Sequence, residues 1–352
     1  MSENNNIPGG SEVPVPGAAK GFAAGFLMGT ANVIPGVSGG TVAFIMGVFE
    51  PLIRTLKRAT EPETLRLVFR GRFGRAAVRV EWKFLLSLLA GAALALVSAS
   101  KLVIYLLEHH PGETFALFLG LMGAGVVAMW RQVGRWSAGA AAAFGIAGLA
   151  AFGIINLMPV STPNNWMMSF AGGAVAIIAM ILPGISGSFL LLILGQYAFL
   201  WGAVSRLPGS LFSGEASTLG FFALGGLAGL AAFVNVLNWL FRKHHDVTVA
   251  ALIGFTVGSL PRLWPWNTDT VFSVRGADGV IARLTLPADA EALAAARAAG
   301  AKITALDFSY GLPGSFAEAG LPLLLIIAGA GIVALIEYLS GKKHGEKPEG
   351  KL

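Results

Sequence analysis

Apolar residues form long uninterrupted stretches along most of this chain, instead of the short amphipathic segments typical of a soluble protein. A helix needs roughly 20 apolar residues to cross a bilayer. Six stretches approximately meet that requirement and are predicted to be membrane-spanning helices: 84–107, 114–130, 137–157, 218–241, 247–263 and 319–340. The pattern therefore predicts an all-α polytopic membrane protein.

Two further apolar stretches, 18–53 and 168–203, are interrupted near their middle by Pro35-Gly36 and by Pro183-Gly184. Proline removes a backbone donor and clashes with the preceding turn, and glycine destabilises a helix. Each stretch is therefore predicted to be two short helices that meet at a bend. Each arm spans only about 22–30 Å, so we expect re-entrant hairpins, with two full spans as the alternative.

The two interruptions carry the same motif. Residues 35–47 read PGVSGGTVAFIMG, and residues 183–195 read PGISGSFLLLILG. A weaker echo aligns Gly91 with Gly226 and His109-His110 with His244-His245. Each half then has one hairpin and three crossings, and an odd number of crossings turns the second half upside down. We predict two inverted repeats, 18–157 and 168–340, an arrangement known from transporters.

Composition and charge place this protein in a membrane. Hydrophobic residues make up 55% of the chain and charged residues 12%, against about 25% charged in soluble domains. The net charge of +6 does not indicate nucleic acid, because the basic residues cluster between apolar spans. The positive-inside rule places the basic connection 54–83, the disordered polar tail 1–17 and the tail 341–352 in the cytoplasm.

The polar segment 264–318 has no counterpart in the first half. The topology places it outside the cell. Alternating strand-like runs at 271–274, 280–286 and 303–308, with a helical run at 288–299, predict a small ββαβ cap.

Bending a helix at Pro-Gly leaves backbone N–H groups at the start of the next helix, where the dipole favours an anion. Serine and threonine hydroxyls add donors, and glycines let a ligand approach the backbone. The residues predicted to bind a phosphate group are Asn32, Gly36, Ser38, Gly39, Gly40, Thr41, Gly184, Ser186, Gly187, Ser188 and, at the outer mouth, Lys101, with Pro35 and Pro183 as the helix breaks. The simpler alternative is that these small residues only allow tight packing; the matched second copy favours the site.

Other polar residues carry open interpretations. Glu50 is a candidate for proton coupling or gating, or it is solvated near Arg54, and Gln196 lines the path or bonds between helices. Lys101 reaches a phosphate or extends to the interface. The chain has no cysteine, and no metal or other cofactor is expected.

The segments GTANVIPGVSGGT (29–41), ILPGISGSFLLLILGQY (181–197) and Gly-Ser-Leu at 258–260 resemble the family long catalogued as domain of unknown function 368. The resemblance covers about 18–340. It implies return of undecaprenyl phosphate, the lipid carrier of cell-wall synthesis, from the outer to the inner leaflet of the cytoplasmic membrane. Whether a proton or a sodium ion is coupled to this step is left open by the sequence. The chain departs from the family where Tyr197 is followed by Ala198 instead of Glu.

Two other functions stay open. Residues 36–40 match the Gly-x-Ser-x-Gly motif of serine hydrolases, but the strand–turn–helix context of that motif is not predicted and no histidine lies inside a span. A serine in both halves also suits a symmetric carrier better than a one-sided active site. The second alternative is an ion-coupled carrier for a small anion.

Overall fold

In a computed structural model, the structure describes residues 15–33, 38–157, 160, 162–206, 214–275, 281–285, 289–299 and 302–342. Within these ranges the chain is built mainly from helices: α1 (Ala18–Ala31), α2 (Gly39–Ile45), α3 (Phe49–Thr60), α4 (Pro62–Phe69), α5 (Phe73–Arg79), α6 (Trp82–His109), α7 (Pro111–Trp130), α8 (Ala138–Ile155), α9 (Trp166–Ile181), α10 (Gly187–Ile193), α11 (Tyr197–Arg206), α12 (Gly214–Lys243), α13 (His245–Ser259), α14 (Ala290–Ala298) and α15 (Phe316–Lys342). A 3-10 turn, Leu260–Leu263, extends α13.

Six of the described helices, α6, α7, α8, α12, α13 and α15, are long and apolar enough to cross a membrane. They coincide with the six predicted stretches, so the prediction of an all-α polytopic membrane protein is confirmed. The helices extend beyond the apolar runs at most ends, because a helix can continue into the interface after its apolar stretch has finished. Half of α13 is buried inside the protein, whereas α8, α12 and α15 are mostly exposed, so α13 is a central helix.

Each interrupted stretch contains three helices, and the prediction of two is wrong. The first has α1, α2 and α3, and the second has α9, α10 and α11. The additional break follows α2 at Gly47 (φ 61°) and α10 at Gly195 (φ 67°). Both glycines lie in the left-handed region, which ends a helix at little steric cost. The axes of α2 and α3 differ in direction by 118°.

Helix packing repeats between the two halves. Helix α1 packs along α6 as α9 packs along α12, and α7 packs on α15 as α13 packs on α8. Small residues allow these contacts: a Cβ added to Gly91 would lie 2.1 Å from the Phe22 carbonyl oxygen, and one added to Gly225 would lie 1.9 Å from that of Phe170. Such close backbone approach is typical of helices packed in lipid.

This packing corrects the weaker sequence echo by one residue. Gly91 corresponds to Gly225, not Gly226. His110 corresponds to His244, because both precede a helix with nearly the same backbone angles (φ −137°, ψ 55° and φ −140°, ψ 52°). Each of the two histidines also donates its N–H over 2.7 Å to a carbonyl four residues earlier. The repetition is therefore present in the contacts, while the inverted orientation of the halves stays a prediction.

The main core surrounds the first interrupted stretch, which is the first predicted hairpin. It joins Phe44, Phe49 and Ile53 of α2 and α3 to Val234 of α12 and Ile253 of α13. Phe44 and Phe49 stack at 4.3 Å across the break at Gly47. The chain from α2 to α3 is therefore anchored in protein, whereas leucines and isoleucines of α8, α12 and α15 are exposed on faces that can contact lipid.

The segment after α13 forms a three-stranded antiparallel sheet of β1 (Asn267–Arg275), β2 (Ile281–Thr285) and β3 (Lys302–Tyr310) in the order β2-β1-β3, with α14 between β2 and β3. The element order is strand, strand, helix, strand. The Trp264 indole N–H donates to the Gly311 carbonyl over 2.8 Å and joins the two ends of the segment. Its position outside the membrane stays a prediction.

The basic connection before α6 folds into α4 and α5 and is held by ion pairs. Arg79 bonds Glu61 over 2.8 Å and Glu63 over 2.7 Å, and Arg58 pairs with Glu81. The carboxylates of this connection therefore pair with part of its basic residues and link α3, α4 and α5 to the start of α6.

Candidate functional site

The structure brings the two motifs into direct contact. Ser38, at the start of α2, donates its hydroxyl over 2.8 Å to the carbonyl oxygen of Leu182, the residue before Pro183. A Cβ on Gly40 would lie only 2.4 Å from the Ile181 carbonyl oxygen, so backbone meets backbone at this point. Residues separated by 144 positions in the chain thus form one junction. Pro35 and Gly36 lie outside the described residues.

Three backbone N–H groups of the first motif are already hydrogen-bonded to nearby residues of the same segment. The Gly39 N–H donates over 2.8 Å to Asn32 Oδ1, the Gly40 N–H over 3.1 Å to Ser38 Oγ, and the Thr41 N–H over 3.1 Å to the Ser38 carbonyl. The expectation of unpaired N–H groups at these three residues is therefore wrong in this conformation, because Asn32 and Ser38 cap the helix. Ser38 is also fully buried, so this half of the junction is closed.

The Thr41 hydroxyl is the exception in the first motif. The residue is fully buried, and its Oγ1 has no hydrogen-bond partner among the described residues. Leaving a buried hydroxyl unpaired costs about 1–3 kcal/mol. An orphaned polar group of this kind next to a glycine-rich junction fits a position where a polar ligand or water completes the bonding.

The second motif is more exposed than the first, and its serine does not cap the following helix. Ser186 makes no cap bond to α10, and its Oγ lies 2.8 Å from Ser188 Oγ. Ser186 is half-buried and Ser188 is exposed. Gly187 packs closely, since an added Cβ would lie 2.4 Å from the Ala176 carbonyl oxygen. The second half of the junction therefore presents a pair of hydroxyls at the surface, which the first half does not.

The second bend rests on the end of α13. Gly184 has φ +96°, and an added Cβ would lie 2.4 Å from Ser259 Oγ and 3.1 Å from Thr256 Cα. Glycine is required there by both conformation and space. Ser259 belongs to the Gly-Ser-Leu segment at 258–260, one of the three segments that carry the family resemblance. Its hydroxyl donates to the Thr256 carbonyl over 2.7 Å. The Gly-Ser-Leu segment therefore packs directly against the second bend.

Arg262, on the 3-10 turn after α13, was not predicted from the sequence. Its guanidinium carbon lies 6.0 Å from the ring centre of Phe189, the residue that follows Ser188. A cation therefore lies against the side chain that follows the hydroxyl pair in the sequence, and the described residues of the first motif have no such contact with a cation. The available signal was its position two residues after Gly-Ser-Leu, in a part of the chain with few charges.

Glu50 connects the first hairpin to the central helix. Its Oε1 lies 3.1 Å from Nε2 of His245, and His245 Nδ1 lies 3.4 Å from the Asp246 carboxylate. Asp246 in turn accepts the N–H groups of Gly134 and Arg135 over 3.1 and 2.9 Å. Three separate parts of the chain therefore meet at this cluster. In the sequence, His245 stands out only as part of the weaker echo between the halves.

Gln196 anchors the other hairpin. It is fully buried, and its Nε2 donates to Thr162 Oγ1 over 2.7 Å, while Thr162 donates to the Leu194 carbonyl over 2.6 Å. Its Oε1 has no partner within the described ranges. Gln196 thus ties the segment before α9 to the second hairpin. Lys101 is exposed on α6, which packs along α1.

The arrangement does not resemble that of a serine hydrolase. Ser38 bonds a backbone carbonyl and Ser186 pairs with Ser188; in the described part of the chain neither hydroxyl bonds a histidine or a carboxylate. A serine nucleophile requires a base within hydrogen-bond reach. The described residues also contain no cluster of histidine, aspartate and glutamate able to hold a metal ion.

Comparison with known proteins gives a consistent picture. A family model described as VCA0040-like, undecaprenyl phosphate translocase-like, matches residues 28–278. The chain is 36% identical over 248 residues to a polyprenyl-phosphate transporter of Vibrio cholerae, covering 70% of this chain and 77% of that relative. It is 32% identical over 254 residues to a polyprenyl-phosphate transporter of Staphylococcus aureus, covering 68% and 84%. No solved structure is significantly similar to the chain.

Proposed function

This chain belongs to the undecaprenyl phosphate translocase-like family, and from that membership we propose that it returns a polyprenyl phosphate from the outer to the inner leaflet of the bacterial cytoplasmic membrane. Undecaprenyl phosphate, the carrier used in cell-envelope synthesis, is the proposed substrate. The protein is a multi-pass membrane protein of a transporter family. It acts by moving the lipid, without a covalent step.

The main energetic barrier to moving this lipid across the membrane comes from its phosphate group. The polyprenyl tail is as apolar as the bilayer and can remain in lipid throughout. A charged group at the middle of the membrane is expensive. The protein therefore needs a polar path for the head group that is open sideways to the tail, and the junction of the two Pro-Gly tips is the proposed centre of that path.

The observation that carries this proposal is the asymmetry of the junction. The first tip is closed by the Ser38–Leu182 hydrogen bond. The second motif presents the Ser186–Ser188 hydroxyl pair, and Arg262 lies over the ring of the next residue, Phe189. A phosphate could replace the bond between the two serines with bonds to itself, because each hydroxyl can donate to a phosphate oxygen. We propose that the lipid phosphate binds to this pair of hydroxyls when the protein is in the conformation described here.

Transport then requires the roles of the two tips to alternate. The repeated packing of α1 on α6 and of α9 on α12 supports the inverted repeat, in which rocking one half against the other exposes the site to each leaflet in turn. Breaking the Ser38–Leu182 bond opens the first tip, and the buried Thr41 hydroxyl then gains a ligand. The Glu50–His245 pair is the proposed place where a coupling proton or sodium ion acts, because it joins the first hairpin to α13.

The proposed topology has both chain termini in the cytoplasm and 264–318 outside, and it can be tested directly. The chain has no cysteine of its own. Cysteine introduced at Leu312, which is exposed, should react with an impermeant maleimide in intact cells. Cysteine at Arg72 should react only after the membrane is permeabilised. The reverse pattern would contradict the inverted arrangement.

Function is tested in proteoliposomes that contain a labelled polyprenyl phosphate, by following its exchange between leaflets. We expect exchange with the natural chain and slow exchange in protein-free vesicles. Arg262→Gln should lower the rate. If labelled inorganic phosphate entered the vesicles while the lipid stayed in its leaflet, the small-anion carrier would replace the present proposal.

A further inference from the structure

A second polar feature lies away from the junction, in a groove of about 460 Å³ on α12 that also contains a side chain from α3. We call it the α12 basic groove. It is lined by Lys57, Asn235, Asn238, Trp239, Arg242 and Lys243. None of these residues belongs to either Pro-Gly motif, and the transport path described above does not use them.

The groove follows one face of α12. The α12 residues that line it recur at intervals of three and four, so they form a single stripe. The opposite face carries Val234 and Leu237, which are buried in the main core. From Asn235 to Lys243 the stripe extends about 12 Å along the helix axis. The amides therefore lie within the apolar span, and the cations lie at its end.

An asparagine side chain within the apolar span is stabilised if a polar ligand bonds to it. Asn235 is exposed, and its Nδ2 donates to the Ala231 carbonyl over 2.7 Å. Its other amide hydrogen and its carbonyl oxygen have no partner in the described part of the chain. A polar group left unpaired in an apolar surrounding costs free energy. A ligand that enters along the stripe would satisfy it.

The charges indicate which ligand. Lys57, Arg242 and Lys243 supply three cations, and the nearest carboxylate paired with them is Glu61, 3.8 Å from Lys57 Nζ. The Lys243 ammonium lies 5.4 Å above the ring centre of Trp239, which forms an apolar wall. Val236 is exposed beside the stripe and can contact an acyl or prenyl chain. Three cations beside an apolar wall suit an anionic head group attached to a lipid tail.

We propose that the α12 basic groove binds the phosphate head group of a membrane lipid, and that it is the site from which the transported lipid leaves into the cytoplasmic leaflet. This inference rests on the proposed function. The same cations that line the groove place it on the cytoplasmic side by the positive-inside rule.

The internal repeat supports this reading. With His110 equivalent to His244, the positions of Asn235, Trp239 and Lys243 correspond to Lys101, Tyr105 and His109 on α6. Tyr105 and His109 stack at 4.2 Å, as Lys243 lies over Trp239. Each half thus has a polar and aromatic stripe at the same place. In an inverted repeat the two stripes face opposite leaflets, one for uptake and one for release.

The test compares two double variants of the full chain reconstituted in lipid nanodiscs. Arg242→Gln with Lys243→Gln removes two groove cations. Arg66→Gln with Arg70→Gln removes two exposed cations on the same predicted side, outside the groove. The probe is a fluorescent short-chain polyprenyl phosphate, titrated in neutral phosphatidylcholine. We expect the groove variant to bind about tenfold or more weakly, since two charge-assisted contacts are lost, and the α4 variant to bind as the natural chain does.

Arg242→Lys with Lys243→Arg keeps the charges and should restore binding, which separates loss of a ligand contact from loss of fold. Equal weakening in the α4 variant would overturn the proposal, since general charge would then explain it. Competition by inorganic phosphate as strong as by the lipid would also overturn it. Leaflet exchange is measured separately on the same proteins. A natural chain that binds at the groove but shows no exchange would contradict the proposed function and the exit role, while head-group binding at the groove would remain supported.

Discussion

The two copies of the Pro-Gly-x-Ser-Gly motif share most of their residues but differ in their surroundings. In the first copy Ser38 caps α2 and Asn32 accepts the Gly39 N–H. In the second copy Ser186 caps nothing and pairs with Ser188 instead. The position equivalent to Asn32 is Met180, whose side chain cannot accept that bond in the same way. One neighbouring residue therefore helps to decide which copy is closed.

A second difference concerns the residue after the shared Ser-Gly. Gly40 in the first copy corresponds to Ser188 in the second. Without a side chain, Gly40 lies against the backbone at Ile181. Ser188 has a hydroxyl and is exposed. The motif is thus shared by both copies, and the residues around it determine whether its serine is buried at the junction or partly exposed as part of a hydroxyl pair.

The largest expected effect follows from filling the contact at Gly40. In Gly40→Ala the new Cβ would lie 2.4 Å from a backbone oxygen, so the tips must move apart. We expect a loss of about 1–3 kcal/mol of stability and a strongly reduced exchange rate, measured by thermal unfolding in detergent and in proteoliposomes. The control is Gly123→Ala, where an added Cβ meets nothing within 4 Å. Equal stability of the two variants would show that the tips are not in tight contact.

Replacing the two motif serines one at a time should separate their roles. Ser38→Ala removes a cap and a buried bond between the tips, and should cost about 1–3 kcal/mol of stability. Ser186→Ala should change stability by less than about 0.5 kcal/mol while weakening polyprenyl phosphate binding about tenfold. Unfolding and lipid titration on both variants provide the check. Equal changes in stability and in lipid binding for the two variants would contradict the proposed difference between the two copies.

Exchanging the neighbouring residue tests its contribution. Asn32→Met removes the acceptor for the Gly39 N–H and should cost about 1 kcal/mol. Met180→Asn introduces an acceptor at the equivalent place in the second copy, and should slow exchange without loss of stability because it closes the open tip. Unfolding and exchange are measured for both. Faster exchange in Met180→Asn would contradict the assignment of the second tip as the open one.

The smallest effect is expected at Glu50, whose equivalent in the second half is Ala198. Glu50→Ala removes the partner of His245, and since both side chains are partly exposed the loss of stability should be about 0.5 kcal/mol. Exchange should become insensitive to an imposed proton or sodium gradient. Glu63→Ala, which removes an exposed partner of Arg79, is the control. A gradient response that survives in Glu50→Ala would exclude this pair as the coupling point.

Several features of the site could be predicted because they depend on short stretches of chain. The Pro-Gly bends and the matched serines are visible in the sequence, and the structure joins the two motifs. The third helix of each hairpin was missed, although Gly47 and Gly195 were in the compared segments, because glycine in an apolar run can also serve packing. Arg262 and His245 were missed because their partners are distant in sequence.

The sequence by itself determined the spanning helices, the interruption of the two remaining apolar stretches and the recurrence of the motif. Apolar length, a proline in a helix and a recurring motif act locally, so they are readable without a fold. Only the tertiary structure decided that Ser38 bonds Leu182 and that Glu50 meets His245, contacts that span 144 and 195 residues. Which tip is closed depends on such long-range bonds, because a buried donor takes whatever acceptor the packing places within reach.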